Sequence, residues 1–122
     1  MLSTRSRLIV ADNSGAKSLE IIGLGKGTGR RFVTIGDIVT CAVKGAIPQG
    51  QVKDHEKVKA VIVRTRKEIP RKDGTYVRFS DNAAVVIDNN KIPRATRIFG
   101  PVPQEIKSRG FAKIASLAKE VV

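Results

Sequence analysis

Between Arg64 and Arg78 the chain crowds six cations, Arg64, Arg66, Lys67, Arg71, Lys72 and Arg78, into one short span. A guanidinium is a planar fork that grips two phosphate oxygens at once, and an ammonium adds a compact point charge. Arg64 and Arg66 lie two positions apart, so on a strand they share one face at about 7 Å, near the spacing of successive phosphates. A second cationic group, Lys26, Arg30 and Arg31, accompanies the glycines at 23, 25, 27 and 29. A backbone without side chains lets amides approach a phosphate closely, so this stretch can form a phosphate cradle. The same glycines also fit a hairpin loop that binds nothing. They do not make a dinucleotide fingerprint, because Thr28 and Arg30 fall where its third glycine belongs, and no Gly-Lys-Ser/Thr of a nucleotide loop follows.

Covalent chemistry finds no constellation. Cys41 lies in an apolar run with Val39, Ala42 and Val43, where a small buried thiol is expected rather than a nucleophile. His55 stands alone in the charged loop from Lys53 to Lys57, without a second ligand to suggest a metal. Asp12, Asp37, Asp73, Asp81 and Asp88 each adjoin Gly or Asn, the setting in which carboxylates cap turn amides. Glu20, Glu68, Glu105 and Glu120 are scattered. The expectation is a binding protein with neither enzymatic activity nor cofactor.

The elements that must carry the cations follow from hydropathy and turn residues. Asp73-Gly74 readily takes the positive φ of a tight hairpin, so the span from Lys57 to Asn90 reads as one long antiparallel pair. Counting outward from a two-residue turn sets Thr75 opposite Lys72, Tyr76 opposite Arg71, Arg64 opposite Ala83, Ile62 opposite Val85 and Ala60 opposite Ile87, barring a bulge. Apolar residues then meet at the base and cations gather at the tip. Earlier strands are expected at Leu8 to Ala11, Leu19 to Leu24 and Ile38 to Val43, separated by turn clusters at close spacing, which is an all-β pattern. Five short strands, with Ala60 to Val63 apolar on both faces, call for a small closed barrel whose outer face is covered. Phe111, Ile114, Ala115, Leu117 and Ala118 recur at helical steps after Gly110 and can supply that cover. The expected organisation is a single domain, with barrel over 1–99, an arm near 64–80 and a C-terminal helical segment over 100–122.

Composition points to the same partner. The 122 residues carry 23 Lys and Arg against 11 Asp and Glu, a formal charge of +12. Such self-repulsion weakens a compact fold unless a polyanion neutralises it, and nucleic acid is the natural one. A membrane surface is disfavoured, since it calls for a basic helix with bulky anchors and the chain has no Trp. No apolar run approaches a membrane span and Met1 to Arg7 lacks a secretory segment, so a cytoplasmic location is expected. The lone cysteine, Cys41, permits no internal disulfide and suits a reducing compartment. Aromatic residues are few: Phe32, Tyr76, Phe79, Phe99 and Phe111. Phe79 and Phe111 are expected in the core and Tyr76 is the one residue placed to stack, so folded RNA should be recognised through phosphates and shape. Pro70 should face outward from a strand edge.

Four stretches carry a family resemblance. They are Val10 to Lys17 (VADNSGAK), Ile35 to Val39 (IGDIV), the segment from Ala60 through Arg66, Asp73-Gly74 and Phe79 to Val86, and Thr96 to Val102 (TRIFGPV). In this order, over the whole chain, they resemble the ribosomal large-subunit protein L-fourteen family in its bacterial form. Two departures stand out: Lys53-Asp54-His55-Glu56-Lys57 replaces a Lys-Lys-Gly-Asp turn, and Ala95 replaces a glycine. The resemblance implies a five-stranded barrel with a protruding ribbon on the subunit-facing side of the large subunit. It implies large-subunit rRNA, small-subunit rRNA at bridges, neighbouring ribosomal proteins and a bacterial ribosome-silencing factor as partners. Lys26, Arg30, Arg31, Lys44, Arg64, Arg66, Lys67, Arg71, Lys72, Arg78 and Arg94 are nominated for RNA. Thr96, Arg97 and Lys113 are nominated for the protein-docking and intersubunit face. A free-standing nucleic-acid chaperone or regulatory barrel is the alternative that charge and fold alone leave open.

Overall fold

A computed structural model describes residues 2–24, 32–48, 50 and 52–122. In chain order the elements are β1 (Arg7–Val10), β2 (Ala16–Gly23), β3 (Ile38–Ala46), β4 (Lys57–Arg64), β5 (Ile69–Pro70), β6 (Tyr76–Val77), β7 (Ala83–Ile87), β8 (Ile98–Val102), α1 (Glu105–Ser108), α2 (Ala112–Leu117) and β9 (Ala118–Val121). Strands β1, β2, β3, β4 and β7 close into a barrel, antiparallel except where β1 meets β7 in parallel. These are the five strands expected from the apolar runs.

The apolar faces of β4 and β7 explain the architecture. Ala60 and Ile62 on β4, with Ala84 and Val86 on β7, point into the barrel beside Leu8, Leu19, Ile21, Val39 and Val43. Their alternates Val61, Val63, Ala83, Val85 and Ile87 point outward and are equally buried, under Ile98, Val102, Ile106, Phe111 and Ile114. Strand side chains alternate with period two, so a continuous apolar run requires a second covering layer. The C-terminal region provides it. Helix α2 accounts for the periodicity after Gly110, but the cover also contains α1 and a parallel pair, β8 with β9, that hydropathy did not reveal. Ala118, expected on the helix, begins β9 instead.

The hairpin register differs from the two-residue-turn count. The Gly74 N–H donates to Arg71 O at 3.0 Å and the Arg71 N–H to Thr75 O at 2.8 Å, so the loop is Lys72-Asp73-Gly74, with Gly74 at φ 89. Three-residue loops that end in a left-handed glycine add one residue to the turn. Pro70 therefore faces Tyr76, and Tyr76 does not pair with Arg71. A bulge between Ile62 and Arg64 shifts the base as well: Arg64 faces Ala83 as counted, but Ile62 faces Ala84 and Ala60 faces Val86.

The two departures from the family pattern have distinct outcomes. Ala95 is buried and lies outside the left-handed region, so its backbone does not demand glycine. His55 adopts φ 65, with its N–H bonded to Val43 O at 2.9 Å. A side chain in that region costs roughly 1 kcal/mol, so His55→Gly should raise stability by up to about that amount in urea melts; the exposed contact to Asp54 contributes little.

Candidate nucleic-acid interface

The structure divides the arm cations into two groups. Arg64 is buried, 8% exposed. Its Nη1 donates to Phe99 O at 3.1 Å, and its Nε stands 3.1 Å from Asp81 Oδ1, as an ion pair lacking hydrogen-bond alignment. Arg71 forks onto Glu105, Nε to Oε1 at 2.6 Å and Nη2 to Oε2 at 3.2 Å, and Nη2 also donates to Val122 O at 2.9 Å. Both guanidiniums thus tie the arm to the C-terminal cover. Arg66 is exposed and steadied by Nε donating to Ser80 O at 3.0 Å. Lys67, Lys72 and Arg78 are exposed, and their side chains have no partner among the described residues.

Elsewhere, Lys44 lies 3.7 Å from Glu20 Oε2, and Arg94 Nη1 donates to Glu56 Oε2 at 3.2 Å. Lys26, Arg30 and Arg31, with most of the glycine stretch, lie outside the described residues. Sequence reading passed over Lys57 and Lys59, which project from the outer face of β4. Their alternation with buried Val58 and Ala60 was the available signal. With Lys91 and Asn89, Lys59 borders a cleft of about 760 Å³. The cleft's two carboxylates are engaged: Asp88 accepts the Asn90 and Ile92 N–H groups at 2.8 and 3.0 Å, and Asp37 accepts the Thr34 N–H at 2.8 Å and Arg109 Nη1 at 3.1 Å.

The other nominated face is shaped by one turn near the N-terminus. Asn13 Oδ1 accepts the N–H groups of both Thr96 and Arg97 at 3.0 Å, and its Nδ2 donates to Thr96 Oγ1 at 3.0 Å. One side chain therefore fixes the backbone that leads into β8, from which Arg97 projects exposed and with no side-chain partner among the described residues. Lys113 is exposed on α2, which packs against β8 and β9. Phe99, half exposed, lies on the same segment.

Asp12 anchors that turn from inside. Its Oδ1 accepts the Ser14 N–H at 3.1 Å and Ser14 Oγ at 2.6 Å, while Oδ2 accepts the Val86 N–H at 3.0 Å. Burial raises its pKa despite these bonds. A raised folded pKa means that the native state holds the proton more tightly than the unfolded chain. The penalty of ionised Asp12 is therefore present at neutral pH and is relieved as pH falls through the folded value toward 3.8. Asp12→Asn turns an N–H toward donors that need acceptors; it should cost about 1–3 kcal/mol at pH 7 and abolish this relief in melts taken at stepwise lower pH.

Catalytic roles gain nothing from the geometry. Burial pushes the Cys41 thiol up to about 12, so it stays protonated and unreactive. His55 is exposed beside Asp54. Asp73 caps its own turn, accepting the Thr75 N–H and Oγ at 3.0 and 2.6 Å, and those bonds lower its pKa. Among the described residues, no group of three or more His, Cys, Asp or Glu could hold a metal ion.

A closed barrel, a tethered basic arm and an Asn13 side chain that fixes the backbone at Thr96 and Arg97 are features that comparison with known proteins can place. The family model for ribosomal protein L14p/L23e matches residues 1–122. The curated large ribosomal subunit protein uL14 of Petrotoga mobilis is 57% identical over 121 residues, covering 99% of each chain. A match of this extent, over the barrel, the arm and the covering segment alike, means that the chain belongs to the ribosomal protein L14p/L23e family.

Proposed function

We propose that this protein is a structural constituent of the large ribosomal subunit that binds large-subunit rRNA through its free cations and contributes to bridges with small-subunit rRNA. Membership of a ribosomal protein family carries the first part, and that family is not one of enzymes. A bacterial relative that is a large-subunit protein supports a cytoplasmic, ribosome-bound location. The observation that carries RNA binding is the unpartnered set Lys67, Lys72 and Arg78, with Arg66 beside them, on a chain of formal charge +12. Phosphate contacts supply most of the affinity of such a surface and make it salt-dependent. Neighbouring large-subunit proteins complete the burial of the exposed faces. The segment with Thr96 and Arg97, together with Lys113, serves as the intersubunit and docking face, including for a bacterial ribosome-silencing factor. Its support is the rigid presentation of Arg97 by Asn13.

Two measurements test this reading. On a sucrose gradient the chain should travel stoichiometrically with large subunits, whereas recovery only in the soluble fraction would favour a free regulatory barrel. In binding to purified large-subunit rRNA, alanine at Lys67, Lys72 or Arg78 should each flatten the salt dependence by a slope of about 0.7–0.9. Unchanged slopes for all three would remove the arm from the RNA contact.

A further inference from the structure

We infer that Phe32 and Arg66 form a stacking site for a single unpaired RNA nucleobase, an inference that rests on the rRNA-binding reading above. Phe32 is 54% exposed, although Val33 beside it is 1% exposed and locked to Leu2 by reciprocal backbone bonds of 2.9 and 2.8 Å. That anchor sends Val33 inward and, by strand alternation, its neighbour Phe32 outward. The ring borders a recess of about 530 Å³ whose other walls are Arg66, Lys67 and Asn82. Arg66 also borders a second recess, of about 420 Å³, with Arg78, Phe79 and Ser80.

Arg66 is held at two points. Its backbone N–H donates to Asn82 Oδ1 at 2.9 Å and its Nε to Ser80 O at 3.0 Å. The guanidinium is therefore a pre-set plane, and its Nη groups remain available. An aromatic face, a fixed guanidinium plane and two unpartnered cations, Lys67 and Arg78, are what an unstacked base and its flanking phosphates require. An apolar protein side chain is the poorer occupant, because among the described residues Phe32 is lined up with two cations and an amide, whereas anchor pockets for proteins are depleted in charged walls. Tyr76, the residue marked for stacking by sequence, is exposed at the arm tip opposite Pro70.

The test is binding of purified large-subunit rRNA by the full chain and its variants across a salt series, with melting temperature recorded for each. Phe32 is exposed, so Phe32→Leu and Phe32→Trp should both fold. Stacking predicts that Phe32→Leu weakens binding about 5- to 150-fold with an unchanged salt slope, while Phe32→Trp binds as the wild type. Arg66→Ala should lower both affinity and slope. Wild-type affinity in Phe32→Leu overturns the stacking site, even where the salt slopes of the arm lysines uphold RNA binding. If Phe32→Leu binds rRNA normally but fails to enter large subunits, a protein occupies the recess and the inference falls. Failure of the wild type to bind rRNA would instead bring down the reading on which the inference rests.

Discussion

Arg64→Ala should destabilise the protein by about 3 kcal/mol and lower Tm by on the order of 10 °C, without flattening the salt dependence of rRNA binding. The side chain is 9% exposed and faces an Asp81 side chain that is 27% exposed, so removal leaves a partly buried carboxylate uncompensated. It also deprives Phe99 O of its donor. The partial exposure of Asp81 keeps the figure at the lower end for broken buried pairs. Gly100 belongs to the same unit: it adopts φ 78, and a Cβ there would collide with the Arg64 guanidinium. Gly100→Ala should therefore reproduce much of the Arg64→Ala loss. Were Arg64 a phosphate contact, the outcome would be reversed, with normal melting and a salt slope reduced by nearly one unit. Urea melts and rRNA titrations on the same preparation separate the two.

Phe111→Ala should cost about 3–5 kcal/mol, the usual range for removing a buried aromatic ring. Phe111 is 2% exposed and belongs to the outer cluster with Val61, Val63, Val85, Ile106 and Ile114. The ring has little competing role, since Lys91 Nζ lies 6.0 Å from its centroid, the outer limit of a useful cation–π contact. The two clusters lie on opposite faces of β4 and β7. Amide exchange should therefore accelerate first in α1, α2 and β9 while β2 and β3 keep their protection. A loss below about 1 kcal/mol, or uniform exchange across both clusters, would mean that the C-terminal region is not the layer sealing the outer face.

The arm shows how these effects bear on function. Arg71 looks like a phosphate ligand in the sequence, yet its fork on Glu105 and its bond to Val122 O hold the ribbon against the cover. Under the proposed binding of rRNA, such a tether would reduce the freedom that the arm loses on contact, favouring association without adding a contact. Lys67, Lys72 and Arg78 then face solvent from a prepared position.

What the amino-acid order determined by itself was local or periodic. The apolar runs at Ala60 to Val63 and Ala83 to Ile87 specified strands buried on two faces, and hence a covered barrel. Asp73-Gly74 marked the hairpin turn, the isolation of Cys41 and His55 argued against catalysis, and the excess of Lys and Arg pointed to a polyanion. Each of these depends on neighbours within a few positions or on a sum over the chain. Only the tertiary structure decided the one-residue offsets of the hairpin, because an added loop residue and a bulge leave hydropathy nearly unchanged. It alone decided which cations stay free, since Arg71 and Glu105 are 34 positions apart and Asn13 and Thr96 are 83 apart. A charge is spent or available according to what the fold brings within a few ångströms of it, and that distance is not written along the chain.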